Sequence, residues 1–211
     1  MARKDFFRSD NPFNEMLTLV FNLIELNLLW LLSSVPLITI GASTSALYRL
    51  CFRLLAGRET SVIKEYGKTF KENFVPGIPY SVAMLLFGGI LAADFHILGG
   101  DSGRLSGIFY GICLVLLSAG VSVFSYALPL FSRYENTFAG TMNDAWRLAA
   151  SKLPRTLVLL LIHGLPWALL IIVPGIFFHV FWIWVLAGEA VGAYLSTMVL
   201  RPVFDELEKT P

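Results

Sequence analysis

The chain is expected to fold as an all-α polytopic membrane bundle, and three features of the sequence predict it. Of its 211 residues 56% are hydrophobic and 15% charged, against roughly 25% charged in a soluble domain. The charges are segregated: no Asp, Glu, Lys or Arg falls in 26–48, 73–93, 105–132 or 156–188. Each stretch is long enough for the roughly 20-residue helix that crosses a bilayer. None alternates in polarity as barrel strands of about 10 residues do.

Six membrane segments are expected, at about 16–37, 40–56, 74–98, 105–131, 156–173 and 176–200, in a single transmembrane domain. The first follows Arg3, Lys4 and Arg8 but is longer than the 7–15 apolar residues of a signal-peptide core, so it reads as a retained span. The region 156–200 is too long for one span, and Pro174-Gly175 divides it, because proline breaks the helical ladder and glycine permits a tight turn. The second segment is the shortest and carries Arg49 and Arg53 on one face. If it lies on the membrane surface instead, five spans remain and the N-terminus is outside.

Lys and Arg accumulate on the cytoplasmic side of membrane proteins. Arg58, Lys64, Lys68 and Lys71 follow the second segment, Arg133, Arg147, Lys152 and Arg155 separate the fourth and fifth, and Arg201 and Lys209 follow the sixth. With six crossings both termini are cytoplasmic and Arg104 is left for the opposite face. Two short amphipathic helices are expected on the cytoplasmic side. In one, Val62, Tyr66, Phe70 and Phe74 form an apolar stripe with Lys64, Glu65, Lys68 and Lys71 between them. The other covers 137–152 and bears Met142, Trp146 and Arg147. Such helices pack beneath their own bundle, rest on lipid or dock a partner, and Met142, Trp146 and Arg147 are the candidate docking residues.

Ionisable groups inside a span cost about 2.5–3.5 kcal/mol on insertion scales and mark sites of interest. Glu25 lies in the first span. A hairpin turning near residue 39 sets it about 20 Å from the turn, with Arg49 and Arg53 at about 15 and 21 Å on the returning arm. An intramembrane pair between Glu25 and one arginine is therefore expected, with a structural rather than a transport role. Glu189 lies in the last span beside Gly188-x-x-x-Gly192-x-x-x-Ser196, a small-residue face that lets another helix approach. It is a candidate packing seam or polar lining. Gly41-x-x-x-Ser45 and Gly107-x-x-x-Gly111 show the same pattern in shorter form.

Trp30, Trp167, Trp182 and Trp184 lie toward the outer ends of their spans, as interfacial anchors do. No His-x-x-x-His or His-Glu-x-x-His pair suits zinc, and neither a Gly-x-Ser-x-Gly elbow nor a phosphate-cradling glycine loop occurs. Cys51 and Cys113 have no partner motif. No catalytic residue, metal site, cofactor or nucleic-acid partner is expected.

Leu26-Asn27-Leu28-Leu29-Trp30-Leu31-Leu32, continuing through Val35-Pro36-Leu37-Ile38-Thr39-Ile40-Gly41-Ala42-Ser43-Thr44, resembles the YesL-like family of bacterial membrane proteins, a domain-of-unknown-function family. Asn11-Pro12-Phe13, Phe70-Lys71-Glu72-Asn73-Phe74, Arg133-Tyr134-Glu135-Asn136-Thr137 and Leu153-Pro154-Arg155-Thr156 extend the likeness along the chain. Tyr134 and Glu135 stand where family members often show Phe and Asp. The resemblance implies a bacterial cytoplasmic-membrane protein associated with carbohydrate importers, and it supplies no functional residues. The expectation is a non-enzymatic accessory or assembly subunit, with a carbohydrate ABC importer permease or a second copy as partner. The alternative is a small transporter or channel in its own right. The helix ending in Leu153-Pro154 is similar to the coupling helix of importer permeases, but it lacks the Glu-Ala-Ala start and spaced glycine, which argues against direct coupling to an ATPase.

Overall fold

The computed structural model describes residues 12–58, 61–98, 104–172, 175 and 181–208. The described chain is helical. Helix α1 covers Pro12–Ser34, and a short turn at Leu37–Thr39 leads into α2, Ile40–Leu55. Helix α3 (Val62–Glu72) runs through a kink at Asn73 into α4 (Phe74–Leu98), and α5 is the long helix Arg104–Arg133. Helices α6 (Phe138–Ser151) and α7 (Leu153–Ile172) follow, and a π-helical turn at Trp184–Gly188 opens into α8, Glu189–Leu207. The Pro174 break and residues 176–180 of the expected sixth segment lie outside the described residues.

Both short amphipathic helices are present. Helix α3 buries Val62, Tyr66 and Thr69 and leaves Lys64, Lys68 and Lys71 exposed. Helix α6 starts at Thr137, whose hydroxyl accepts the Gly140 N–H at 3.2 Å, an N-cap that satisfies one of the orphan donors of the first turn.

The expectation of six crossings is corrected. Among the described residues, four helical stretches are long and apolar enough to cross a membrane: Phe13–Ser34, Phe74–Asp94, Gly107–Arg133 and Phe181–Leu207. A fifth arises if Phe138–Ser151 and Leu153–Pro166, bent by 105°, form one broken span. Helix α2 is not among them. Its 16 residues measure about 24 Å at 1.5 Å per residue, short of a hydrocarbon core of about 30 Å.

Its neighbours give the physical reason. Helix α2 packs against α3 and the start of α4. Arg53 pairs with Glu65, Arg49 with Glu72 at 3.5 Å, Asn73 donates to Ser45 at 2.9 Å, and the Gly41 N–H donates to Ser81 at 2.8 Å. Ser81 stands only about 12 Å beyond Asn73 along the helix, so α2 reaches two turns into α4 and no farther. Its first residues are small because backbones meet there. A methyl placed on Gly77 falls 2.7 Å from the Ala42 nitrogen, and one on Gly41 collides with the Gly77 carbonyl oxygen. Ser81, on α4, thus acts as the cap that α2 lacks at Thr39. Thr39 instead donates to the Ser33 and Pro36 carbonyls and closes the end of α1.

Around α2 lies the core. Leu47, Leu50 and Cys51 pack with Leu26 of α1, Tyr126 of α5, Leu159 of α7 and Ala193, Leu200 and Phe204 of α8, all buried. Toward the opposite end, Ile108, Phe109, Ile112, Leu114 and Val115 of α5 are exposed.

Candidate functional site

Three places carry polar or charged groups in an arrangement that packing alone does not require. The largest is an open basin of about 1070 Å³ where the ends of α2, α5 and α8 meet the start of α4. Arg49, Arg53, Arg58, Arg133 and Arg201 line it, with Glu72, Glu135 and Asp205 and an aromatic wall that includes Phe52 and Phe131. The arginines belong to two groups. Arg53 is held by Glu65 of α3. Arg133 bonds Glu208 at 2.9 Å and Asp205 at 3.3 Å, and its guanidinium lies 5.5–5.8 Å from the ring centroids of Phe52, Tyr134 and Phe204. Arg49 and Arg201 are held more loosely: their carboxylate contacts are 3.5 and 3.9 Å, beyond the roughly 2.7–2.9 Å of a charge-assisted hydrogen bond. Arg58 makes no ion pair among the described residues. A Schellman motif fixes its backbone: Gly57, at φ +66, donates to the Leu54 carbonyl, and the Arg58 N–H donates to the Arg53 carbonyl at 3.1 Å. Sequence reasoning passed over Gly57, although a glycine just past an apolar helical run is a usual stop signal.

Two tyrosines near this end titrate high. Burial pushes the Tyr66 phenol up to about 12, partly opposed by hydrogen bonds to Ser33 and Ser43. Tyr134 also rises to about 12, through burial first and then its hydrogen bond to Glu208.

The expected pair between Glu25 and Arg49 or Arg53 does not form. Equal rise along two hairpin arms set the expectation, but the arginine-bearing half of α2 lies along α3, whose Glu65 and Glu72 take both guanidiniums. Glu25 is half-buried on α1 and makes no ion pair or hydrogen bond among the described residues.

The second place is intramembrane and surrounds the π turn. A π turn leaves backbone groups out of register with the i→i+4 ladder. Asn27 of α1, 1% exposed, fills the gap: its amide donates to the Val185 carbonyl at 2.6 Å and its carbonyl accepts the Ala190 N–H at 2.9 Å. Glu189 is the residue before Ala190, half-buried and without a hydrogen bond or ion pair among the described residues. Nearby, the His163 ring nitrogen meets Ser196 at 3.2 Å and Tyr48 at 3.4 Å, joining α7, α8 and α2. Cys51 lies against the Ala190 carbonyl at 3.9 Å. Among the described residues, the expected seam at Gly188 and Gly192 brings no backbones into close contact. A methyl on Gly192 meets only Ile162 at an ordinary 3.8 Å, and one on Gly188 meets the Trp184 side chain of its own helix. The close backbone approach is at Gly41 and Gly77, because there α2 must fit beside α4.

The third is α6. Thr141, Ala145, Leu148 and Ala149 face inward and are buried. Trp146 is 58% exposed, and Arg147 and Ala150 are exposed with it. Met142 does not join them: it is partly buried against the core. Of the outer tryptophans, Trp182 is exposed, whereas Trp30 donates to Thr44 at 3.0 Å inside the bundle. His179 and the Trp167 side chain lie outside the described residues. No group of three or more His, Cys, Asp or Glu residues is placed to hold a metal ion among those described.

These features define a multi-pass helical membrane protein with a polar end and an intramembrane carboxylate, Glu189, beside a π turn. Over residues 23–95 the chain matches the family described as "Protein of unknown function, DUF624", in agreement with the YesL-like resemblance of its α1–α2 block. No curated protein and no solved structure matches the chain.

Proposed function

We propose that this protein is a non-enzymatic subunit of a bacterial membrane assembly, docking on a carbohydrate importer permease through α6. The observation that carries the reading is Trp146: a large aromatic left exposed on a helix whose other face is fully seated. Truncating tryptophan at an interface centre costs about 2 kcal/mol or more of binding, and Arg147 beside it suits acidic groups on a partner. The carbohydrate setting rests on the family resemblance. Trp146→Ala is expected to leave the melting temperature in detergent unchanged while a co-purifying permease is lost. A fall in stability with an unchanged set of partners contradicts docking.

The basin end carries α3, α6 and most Lys and Arg, so we place it in the cytoplasm. Two cytoplasmic termini need an even number of crossings. With α2 too short, and α7 counted as the membrane part of the bent α6–α7 pair, five crossings remain and the N-terminus is external. Arg3, Lys4 and Arg8 then stand as an exception to the charge bias.

Glu189 supports the second reading, a transporter. It lies about 18 Å along α8 from Arg201, near mid-membrane, with no partner to neutralise it among the described residues. Solute flux in vesicles that is lost in Glu189→Gln, with assembly intact, favours transport over docking.

A further inference from the structure

We propose that the arginine basin binds a phosphate ester, an oxyanion attached to an organic body, through Arg49, Arg58 and Arg201. A guanidinium presents five N–H donors in a planar fork that matches phosphate, and the contacts around the basin use few of them. Arg49 and Arg201 reach their carboxylates only at 3.5 and 3.9 Å, Arg201 also donates to the Leu55 carbonyl at 3.3 Å, and Arg58 reaches no carboxylate among the described residues. The Arg53 Nε–H, also in the lining, is buried with no acceptor. A buried donor without a partner is costly, and a ligand oxygen would satisfy it.

Net charge does not create this site. The carboxylates of the basin and its flanks, Glu65 and Glu208 included, offset the arginines, so recognition depends on surplus donors held in place. The Schellman turn fixes the Arg58 backbone, and Arg133, stacked among three rings and bonded to Glu208, forms a rigid wall. The volume of about 1070 Å³ lies just above the roughly 300–1,000 Å³ of small-molecule pockets and exceeds a bare phosphate. Phe52 and Phe131 offer the attached body an apolar surface. A phosphorylated cytoplasmic solute and a phospholipid headgroup share this chemistry.

The test uses the full chain in phosphatidylcholine nanodiscs and follows melting temperature at constant ionic strength. Glycerol 3-phosphate is one probe and phosphatidylglycerol mixed into the discs is the other. At least one is expected to raise the melting temperature: the first alone identifies a soluble ester, the second alone a headgroup. Arg49→Gln/Arg58→Gln/Arg201→Gln should lose the shift, while the charge-matched Lys64→Gln/Lys68→Gln/Lys71→Gln on α3 keeps it. Each single arginine variant should bind roughly tenfold more weakly, the effect of one charge-assisted contact. If the triple variant is unstable without ligand, Arg58→Gln decides, since that side chain holds no ion pair among the described residues. No shift with either probe, or an unchanged affinity in Arg58→Gln, overturns the proposal.

Discussion

The half of the bundle that contains α2 and the half that does not are built on different rules. At the basin end, Gly41 to Cys51 of α2 are almost all buried, and their neighbours are fixed by polar contacts from α3, α4, α7 and α8. Toward the other end, α5 presents Ile108, Ile112 and Val115 outward, and methyls added at Gly107 or Gly111 meet nothing within 4 Å among the described residues. Lipid tails are as apolar as these side chains, so burial gives little drive for association there. Small residues and satisfied polar groups hold the first half together, and a match to the bilayer holds the second.

The most severe way to break this contrast is to enlarge a glycine in each half. Gly77→Leu is expected to abolish folded protein, because its first side-chain atom already overlaps Ala42, whereas Gly111→Leu should leave yield and melting temperature unchanged. Comparable losses from both would show that the halves do not differ. Next in size is Asn27→Leu, which strips two buried backbone groups of their partner. At about 1–3 kcal/mol for each unsatisfied group, the melting temperature should fall clearly, and Asn27→Gln should not restore it because the longer arm cannot bridge one turn. An unchanged melting temperature would mean that the π turn closes on itself.

Much of the lipid-matched half was legible in the sequence. Long charge-free stretches mark α4 and α5, and in the other half the stripe Val62, Tyr66, Phe70 marks α3, since exposure to lipid or to a core is what periodicity records. The place of α2 was not legible. Gly41-x-x-x-Ser45 and Gly188-x-x-x-Gly192 are the same pattern, yet only the first is a backbone contact, because the pattern carries no information on which helix lies opposite. The partners of Arg49 and Arg53 were missed for a related reason. Rise per residue gives depth along a helix but not the direction α2 takes after its turn, and the stripe pattern of α3 sets Glu65 among its polar residues without saying what it faces.

Two smaller effects sharpen the comparison. Gly57→Ala places a side chain at φ +66, a cost of about 1–2 kcal/mol, and should lower the melting temperature by a few degrees. The absence of any effect would remove the Schellman turn as a fixed feature of the basin. Gly192→Ala, with only Ile162 at 3.8 Å, should change stability by no more than about 0.5 kcal/mol. A large loss would restore the seam on α8.

Helix α2 packs beside α3 and the start of α4 and is too short to cross the membrane. Ile38, in the turn before α2, is exposed, so a cysteine there reports which side the turn faces. In a Cys51→Ala/Cys113→Ala background, Ile38→Cys is expected to resist a membrane-impermeant maleimide in intact cells and to react after solubilisation and denaturation. Labelling of the Ile38→Cys variant in intact cells would put the turn at the outer face and make α2 a crossing after all.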